Sequence, residues 1–262
     1  MSDTIRHPAR HTAPGKLMPG AEPIYIDQGD SAILFLHGFT SSAYEGRFLA
    51  EYFAARGMAV WAPLMPGHGS DPADMVSVTR QDWLACAEEH LLALKRYYPK
   101  VVLCGQSMGG ALAVNLAARH EVDALVTLAA AMFVKDWRLR LLPVARRIIT
   151  YQHKSKGPDI RDPQAKAEIA SYAKYPISSL ESFLALIAEA RELAPRVTAP
   201  ALLVHARRDH TIAFENLDFL FNAIQSPIKE QLILESAYHV ISVDVEREII
   251  FERMAKFLEK LL

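Results

Sequence analysis

Residues 105–109 read Gly105-Gln106-Ser107-Met108-Gly109, so that a glycine stands two positions away from the serine on either side. The apolar run 101–104 precedes this stretch and an alanine-rich run over 111–119 follows it, which predicts a strand, a tight turn and a helix. Glycine at the flanking positions avoids a Cβ clash where strand and helix nearly touch. The stretch therefore predicts a nucleophile elbow, with the serine hydroxyl held above the strand end. The alternative is a glycine-rich turn with an incidental serine.

The length and composition of the chain favour one globular domain. Its 262 residues suit a single large α/β domain, and a hydrophobic content of 51% is enough for a sizeable core. Charged residues make up 23% of the chain and the formal net charge is −1. This balance gives no global electrostatic reason to expect nucleic acid as a partner.

Cysteine usage and the lack of long apolar runs predict a cytoplasmic protein. Cys86 and Cys104 form no disulfide framework or metal spacing, and we expect both to be small buried hydrophobes. Residues 1–22 are polar, carry several prolines and glycines and lack the apolar core of a signal peptide, which predicts a flexible N-terminal arm. No run of about 18 apolar residues indicates a transmembrane helix.

Strand-like and helix-like runs alternate after the arm. Strands are predicted at Ile24–Ile26, Ala32–Leu36, Ala59–Ala62, Val101–Cys104, Ala124–Leu128, Ala201–His205 and Gln231–Leu234. Helices are predicted at Tyr44–Arg56, Gln81–Tyr97, Met108–Arg119, Phe214–Ile224 and Glu246–Leu262. This alternation predicts an α/β fold with a mainly parallel sheet and helices on both sides. Functional groups are then expected on loops beyond the carboxyl ends of the strands.

One segment interrupts the alternation. About seventy residues between the strands near Leu128 and Ala201 show no clear strand and instead favour helices at Trp137–Ile149, Pro163–Tyr172 and Ser178–Glu192. An excursion of this length is more often a lid or binding element than a plain connection. We therefore expect a helical cap over residues 132–194, inserted into a core formed by residues 23–131 and 195–262.

A serine needs a base to become nucleophilic, and the base needs an orienting carboxylate. Asp209 follows the predicted strand 201–205, and His239 follows the predicted strand 231–234, just before the last helix. The chain order of serine, acid and histidine is the one found around nucleophile elbows. These positions predict Ser107 as nucleophile, His239 as base and Asp209 as the orienting acid.

Other residues compete for the roles of base and acid. His205 lies inside a strand and is expected to be a core residue, and His210 is the immediate neighbour of Asp209, where side chains rarely face one another. Asp244 is the rival carboxylate, but its position before Glu246 is typical of a helix N-cap.

Charge that develops on an ester oxygen during attack requires an oxyanion hole. The run 35–40 supplies a strand end, the flexible Gly38 and a following N–H, so the backbone N–H groups of Phe39 and Met108 are the predicted donors. We expect His37 to shape this loop by hydrogen bonding, without a role in proton transfer. The ring of Phe39 is expected either to line the acyl side of a pocket or to be an ordinary core phenylalanine.

The stretch Pro66-Gly67-His68-Gly69 has two interpretations. Two glycines around a histidine are compatible with phosphate binding, but no P-loop lysine pattern is present. A structural turn with a locally hydrogen-bonded His68 is favoured. No His/Cys/Asp cluster has metal-site spacing, so no metal is expected and metal-assisted hydrolysis is disfavoured.

Together these motifs resemble the α/β-hydrolase superfamily, over roughly residues 24 to 262. The pattern is more narrowly similar to bacterial carboxylesterases and monoacylglycerol lipases, and two runs carry most of that similarity: Leu36-His37-Gly38-Phe39-Thr40-Ser41-Ser42 and Tyr238-His239-Val240-Ile241-Ser242-Val243-Asp244. The sequence departs from a common pattern of this superfamily at Ala206, where many members have glycine. The difference bears on the shape of the loop before Asp209 and not on the assignment of Asp209 itself.

The resemblance implies a serine carboxylester hydrolase that works through an acyl-enzyme and needs no cofactor. Ser107 would be acylated, His239 would act as general base and acid, Asp209 would orient it, and Phe39 and Met108 would donate N–H groups. Small or medium acyl esters are the expected substrates, with monoacylglycerols among the candidates, and the cap would form the acyl tunnel. The alternatives are carbon–carbon bond hydrolysis or perhydrolysis on the same scaffold, or a slow-turnover ligand-binding protein.

One cap feature raises the question of a membrane surface as partner. Seven basic residues stand against the single acid Asp136 between positions 135 and 156: Lys135, Arg138, Arg140, Arg146, Arg147, Lys154 and Lys156. With Trp137 and several leucines nearby, the segment is compatible with contact to an anionic lipid surface. A solvated cap face with an apolar side over the pocket is favoured, because an amphipathic helix usually faces a core.

Overall fold

The computed structural model of the chain describes residues 7–8, 16–142, 146–154 and 157–262, with the backbone alone at Arg140. Most of the arm expected over residues 1–22 lies outside these ranges, so its flexibility stays a prediction. No helix within the described ranges is long and apolar enough to cross a membrane.

Seven strands of the described chain form the main sheet. The described residues contain nine strands in all: β1 (Ile24–Ile26), β2 (Ser31–Leu36), β3 (Ala59–Ala62), β4 (Lys100–Gln106), β5 (Ala124–Leu128), β6 (Tyr151–His153), β7 (Lys174–Pro176), β8 (Ala201–Ala206) and β9 (Lys229–Leu234). The main sheet has the order β1-β3-β2-β4-β5-β8-β9, and β6 pairs with β7 separately. Only the β1–β3 pairing of this main sheet is antiparallel, so the predicted mainly parallel α/β sheet is confirmed.

The helices pack on both faces of this sheet. They are α1 (Arg47–Ala54), α2 (Arg80–Tyr97), α3 (Met108–Ala117), α4 (Pro163–Glu168), α5 (Ile177–Leu193), α6 (Glu215–Ala223) and α7 (Arg247–Leu258). Alternate residues of β2 enter opposite cores, because successive strand side chains point to opposite faces. Leu34 packs in the cluster that holds Trp83 of α2, whereas Phe35 packs in the cluster that holds Phe53 of α1 and Phe251 of α7.

The sequence predicts a helical cap over residues 132–194, but the structure shows strands in this segment as well as helices. The segment contains α4, α5 and the small antiparallel sheet in which Tyr151 pairs with Pro176 and His153 with Lys174. The predicted helix 137–149 is a 3-10 helix at Trp137–Leu141, and residues 143–145 lie outside the described ranges. The two strands read Tyr-Gln-His and Lys-Tyr-Pro and contain no apolar run, unlike the equally short Ile24–Ile26, which is why the sequence did not indicate them. This segment is called the cap below.

Candidate active site

The turn between β4 and α3 holds Ser107 in a strained backbone conformation. β4 ends at Gln106, α3 begins at Met108, and Ser107 between them has φ 54° and ψ −112°. Such a conformation costs energy for a residue with a side chain and is found mainly at functional sites. The neighbouring glycine is sterically required, because a Cβ on Gly109 would lie 1.8 Å from the carbonyl oxygen of Leu36.

Three side chains that the sequence singled out form one hydrogen-bonded chain. His239 Nε2 lies 2.9 Å from Ser107 Oγ, and His239 Nδ1 lies 2.7 Å from Asp209 Oδ2. The three residues follow β4, β8 and β9, whose carboxyl ends share one edge of the sheet. Ser107 and His239 are buried, and the Asp209 side chain is fully buried. The arrangement can pass a proton from the serine hydroxyl to the imidazole while the carboxylate holds the ring.

The electrostatics of this chain keep the acid ionised and make the imidazole more basic. Burial opposes ionisation of Asp209, but the charges and hydrogen bonds of His239 and His205 outweigh it and lower the pKa of the carboxyl group. Burial also disfavours a charged His239, yet Asp209, with smaller contributions from Asp159 and Glu45, raises the pKa of the imidazole. Two backbone N–H groups, of Thr211 and Ile212, donate to Asp209 Oδ1 at 2.8 and 2.7 Å.

His205 contributes more than the core packing that the sequence predicted. It is buried, but its Nε2 lies 3.3 Å from Asp209 Oδ2 and 3.1 Å from the carbonyl oxygen of Ile212. Both neighbours are acceptors, so Nε2 carries the proton and donates. His205 lies near the carboxyl end of β8, where functional groups collect, but that position does not by itself indicate a contact with Asp209.

The loop after β2 is held in place by His37. Met65 N donates to His37 Nε2 at 3.0 Å, and His37 Nδ1 donates to the carbonyl oxygen of Gly38 at 2.9 Å. Burial lowers the pKa of His37 to about 4, so the ring is neutral at physiological pH. The predicted hydrogen-bonding role of His37 is confirmed.

Two backbone amides in the loops next to Ser107 have no acceptor within the described residues. Neither the Phe39 N–H nor the Met108 N–H has a hydrogen-bond partner among the residues that the structure describes. The bond from His37 orients the peptide between Gly38 and Phe39, because its carbonyl oxygen and its N–H point in opposite directions. Free amides on this loop and at the start of α3 are the groups that an oxyanion hole requires.

Gln106 positions the loop that carries the base, a role that sequence reasoning missed. Its side chain is fully buried, and Nε2 donates to the carbonyl oxygen of His239 at 2.9 Å. Its Oε1 accepts from Ser242 N at 3.4 Å. The residue adjacent to the serine therefore also fixes the histidine loop.

The interpretation of Asp244 as a helix N-cap is wrong. α7 begins at Arg247 with Glu246 at its N-cap position. The fully buried Asp244 carboxylate instead accepts backbone N–H groups of Tyr238 at 2.7 Å and of Asp162 at 2.8 Å. Tyr238 lies next to His239 and Asp162 lies in the cap, so the Asp244 carboxylate attaches the cap to the histidine loop. Because both oxygens of Asp244 accept these backbone bonds, and Asp209 is the carboxylate bound to His239 Nδ1, Asp244 does not serve as the partner of His239.

Asp159 of the cap connects the loop that carries Asp209 to the loop that carries His239. Its carbonyl oxygen accepts from the N–H groups of His239 and Val240, each at 3.1 Å. Its carboxylate accepts from His210 N at 3.0 Å and His210 Nδ1 at 2.9 Å. His210 thus binds Asp159. This agrees with the expectation that His210, as the immediate neighbour of Asp209, does not face that residue.

His68 has a local structural role in the turn at residues 66–69. Its Nδ1 lies 3.0 Å from the carbonyl oxygen of Pro66, which confirms the predicted local hydrogen bond. Burial, with a smaller repulsion from His37, holds the pKa of His68 well below its ordinary value. Cys86 and Cys104 are both buried, as predicted.

A cavity of about 890 Å³ opens beside Ser107, between the core loops and the cap. One group of lining side chains, here called the apolar wall, consists of Phe39, Leu139, Tyr175, Ile177, Leu180 and Phe183. The Phe39 ring stacks on Phe183 at 5.1 Å and contacts Tyr175 at 5.3 Å. A second group, here called the polar wall, consists of Ser41, Glu45, Lys154 and Ser171. The Phe39 ring therefore lines the cavity and also packs against the core.

The basic segment of the cap is partly neutralised by ion pairs. Lys135 pairs with Glu215 at 2.7 Å, Arg138 with Asp136 at 2.7 Å and Arg146 with Glu181 at 3.2 Å. These pairs favour the solvated face. Four large apolar side chains in the described part of the segment are nevertheless exposed: Trp137 at 72%, Leu141 at 55%, Ile148 at 79% and Ile149 at 45%. Membrane contact stays an alternative for this segment.

Comparison with known proteins places the chain in a family. Residues 27–246 match the family Hydrolase_4, described as Serine aminopeptidase, S33. The thermostable monoacylglycerol lipase of Bacillus sp. (strain H-257) is 33% identical over 93% of this chain and 96% of its own length. The carboxylesterase of Bacillus subtilis (strain 168) is 29% identical over 92% of this chain and 97% of its own.

Solved structures agree with this placement. A structure described with LipS and LipT, two metagenome-derived lipolytic enzymes, superposes with a TM-score of 0.89 at 33% identity, covering 94% of this chain and all of that one. The monoacylglycerol lipase of Paleococcus ferrophilus shares the fold at a TM-score of 0.79 and 19% identity, over 92% of this chain and 99% of its own. The chain therefore belongs to the Hydrolase_4 family, has the α/β-hydrolase fold and is a hydrolytic enzyme.

Proposed function

We propose that this protein is a serine carboxylester hydrolase with Ser107, His239 and Asp209 as its catalytic triad. The observation that carries the proposal is the continuous hydrogen-bonded chain from Ser107 Oγ through His239 to the ionised Asp209. A serine, a base and an orienting acid in this geometry are what acyl transfer needs. The named relatives, a monoacylglycerol lipase and a carboxylesterase, act in the same class of chemistry.

The proposed reaction has two halves. Ser107 Oγ attacks the ester carbonyl carbon while its proton passes to His239 Nε2, and the N–H groups of Phe39 and Met108 stabilise the oxyanion. The bond to the alcohol oxygen then breaks, and the alcohol leaves with the proton from His239. Water then attacks the acyl carbon and gives its proton to His239. The bond from the acyl carbon to Ser107 Oγ breaks, Oγ takes the proton back from His239, and the acid leaves.

The cavity beside Ser107 supports an ester with an apolar acyl chain and a polar alcohol. An acyl chain is stabilised by contact with the apolar wall, whereas it would have to desolvate the charges of the polar wall. The alcohol part is therefore assigned to the polar wall. Small to medium acyl chains and a polar alcohol such as glycerol fit this division, so monoacylglycerols are proposed substrates.

A fluorophosphonate probe followed by turnover on an ester panel tests this function. We expect the probe to modify Ser107, found by peptide mass analysis, and the enzyme to hydrolyse nitrophenyl esters of graded acyl length and monoacylglycerols. Labelling with negligible turnover across the panel would indicate a ligand-binding protein. Turnover confined to carbon–carbon bond cleavage or peracid formation would indicate another reaction on the scaffold, and either result would overturn the proposal.

Substitution of Asp159 by asparagine is expected to move the acidic limb of the pH profile of kcat/KM to lower pH. Three carboxylates raise the pKa of His239, namely Asp209, Asp159 and Glu45. His239 must be neutral to accept the Ser107 proton. Removing the charge of Asp159 lowers the pKa of His239, so the ring stays neutral at lower pH.

The control for this prediction is Asp136→Asn. Asp136 also lines the cavity, and its replacement by asparagine removes one negative charge, as Asp159→Asn does. It is not among the groups that shift the pKa of His239. Profiles measured with a short nitrophenyl ester should leave the control superimposable on the unmodified enzyme. A limb that stays in place or moves to higher pH in Asp159→Asn would contradict the prediction.

A further inference from the structure

The polar wall contains a buried carboxylate directly beside the nucleophile. Glu45 is 2% exposed, and its Oε2 accepts from Gly38 N at 2.6 Å. A Cβ on Gly38 would lie 3.3 Å from both carboxylate oxygens of Glu45 and 3.4 Å from Ser107 Cβ, so the carboxylate and the serine flank the same backbone position. The Gly38 bond occupies one of the two oxygens. The other oxygen keeps acceptor capacity toward the cavity that Glu45 lines.

A lysine from the cap faces the same region. Lys154 Nζ donates to Ser171 Oγ at 3.1 Å, and Ser171 Oγ donates to the Thr40 carbonyl oxygen at 3.3 Å. Burial lowers the pKa of Lys154 to about 8, and Glu45 partly counters this shift. Lys154 and Glu45 form no ion pair in the described chain, although the charge of each shifts the pKa of the other. An ammonium has three donors, so two remain for a bound molecule.

A third polar group completes the cluster. Ser41 is 5% exposed and lines the cavity, and its Oγ is buried without a hydrogen-bond partner among the described residues. Burial raises the pKa of the Glu45 carboxyl group, and the Gly38 N–H and the nearby Ser41 hydroxyl counter part of that shift. The hydroxyl is thus held beside the carboxylate at the cavity surface, where it can donate to or accept from a bound molecule.

We propose that Glu45, Lys154 and Ser41 form a subsite that binds a free hydroxyl group on the alcohol part of the ester. A hydroxyl is both donor and acceptor, so it can donate to Glu45 and accept from Lys154 or Ser41 at the same time. The substrate class is therefore a monoester of a polyol rather than of a simple alkyl alcohol. This inference rests on the proposed ester hydrolysis, because the alcohol is identified only by its position relative to Ser107.

The subsite explains why charged residues occur beside a pocket for an apolar chain. Burial of the charges of Glu45 and Lys154 costs desolvation energy, and the two side chains form no ion pair that would offset this cost. A polyol hydroxyl bridging them would recover part of that cost. An alkyl alcohol would offer no partner to the second oxygen of Glu45, to the two remaining donors of Lys154 or to the Ser41 hydroxyl. Such a mismatch discriminates strongly between substrates that differ by one hydroxyl.

The test compares two esters with the same carbon skeleton. 1-Monobutyrylglycerol and propyl butyrate differ by two hydroxyl groups, and the ratio of their kcat/KM values measures recognition of those hydroxyls. Lys154→Met and Glu45→Gln are each expected to lower this ratio by about 10- to 100-fold, as for loss of a hydrogen bond to a charged group. The ratio is used because Glu45 also holds Gly38, so that Glu45→Gln is expected to slow both esters.

Matched controls come from the exposed ion pair Lys135–Glu215, which does not line the cavity. Lys135→Met and Glu215→Gln repeat the same substitutions and should leave the ratio unchanged. An unmodified enzyme that hydrolyses both esters equally, or a ratio unaffected by Lys154→Met, would overturn the inference and leave the proposed function intact. An unmodified enzyme that hydrolyses neither ester would refute the proposed function instead.

Discussion

Replacement of Ser107 by alanine is expected to lower kcat for a nitrophenyl ester by roughly a million-fold, as for removal of a nucleophile that acts in a unit with its base. Without Oγ no acyl-enzyme forms, and His239 loses the group from which it accepts a proton at 2.9 Å. The residual rate should come from the oxyanion donors and from binding alone. Initial rates measured over several enzyme concentrations check the result and expose trace contamination.

The matched control for this prediction is Ser77→Ala, at an exposed serine that does not line the cavity. That variant should retain the full rate. Ser107→Ala should keep the circular dichroism spectrum of the unmodified enzyme, because alanine at this position removes only a hydroxyl. Near-native hydrolysis by a folded Ser107→Ala enzyme would show that Ser107 is not the nucleophile.

The parts of the fold that the sequence predicted well are those with local causes. The strand Ala124–Leu128 and the elbow at Ser107 were found at their observed positions because apolar runs and glycine punctuation act over a few neighbouring residues. β6 and β7 were missed for the opposite reason. Their pairing joins Tyr151 to Pro176, and neither strand has a pattern of its own.

The candidate site divides along the same line. The elbow motif singled out Ser107, and chain order with a position after a predicted strand singled out Asp209 and His239. The structure brings the three together. The contact of His205 with Asp209 depends on how the loop after β8 folds back, which no local pattern indicates. A carboxylate near a helix start predicts an N-cap, but Asp244 binds amides that only the folded cap brings to it.

The polar wall shows most clearly what sequence reasoning could not reach. Glu45 lies in a run that the sequence predicted as helix, where a glutamate is ordinarily a solvated residue. It is buried because the loop after β2 folds over it and Gly38 N donates to it. Its approach to Lys154 requires the cap, more than a hundred positions away in the chain. The proposed substrate selection thus depends on contacts between core and cap, and the cap also acts on His239 through Asp159.

The second large effect is expected from Asp209→Asn, which should lower kcat by about ten-thousand-fold. Asparagine has the size of aspartate, and its oxygen can still accept from Thr211 N and Ile212 N. Its NH2 group then faces His239 Nδ1 and favours the tautomer with the proton on Nε2. In that tautomer Nε2 cannot accept the Ser107 proton, so the base is disabled although the geometry is retained.

The same substitution should lower the pKa of His239, because Asp209 contributes most of the attraction that opposes burial of the charged ring. Titration of the His239 ring by NMR, in Ser107→Ala and in Ser107→Ala with Asp209→Asn, measures this change without interference from turnover. The matched control is Asp218→Asn on α6, since Asp218 is not among the groups that shift the pKa of His239. Loss of kcat with an unchanged His239 titration would mean that Asp209 only shapes the loop. A raised His239 pKa would contradict the assignment of Asp209 as the partner of the base.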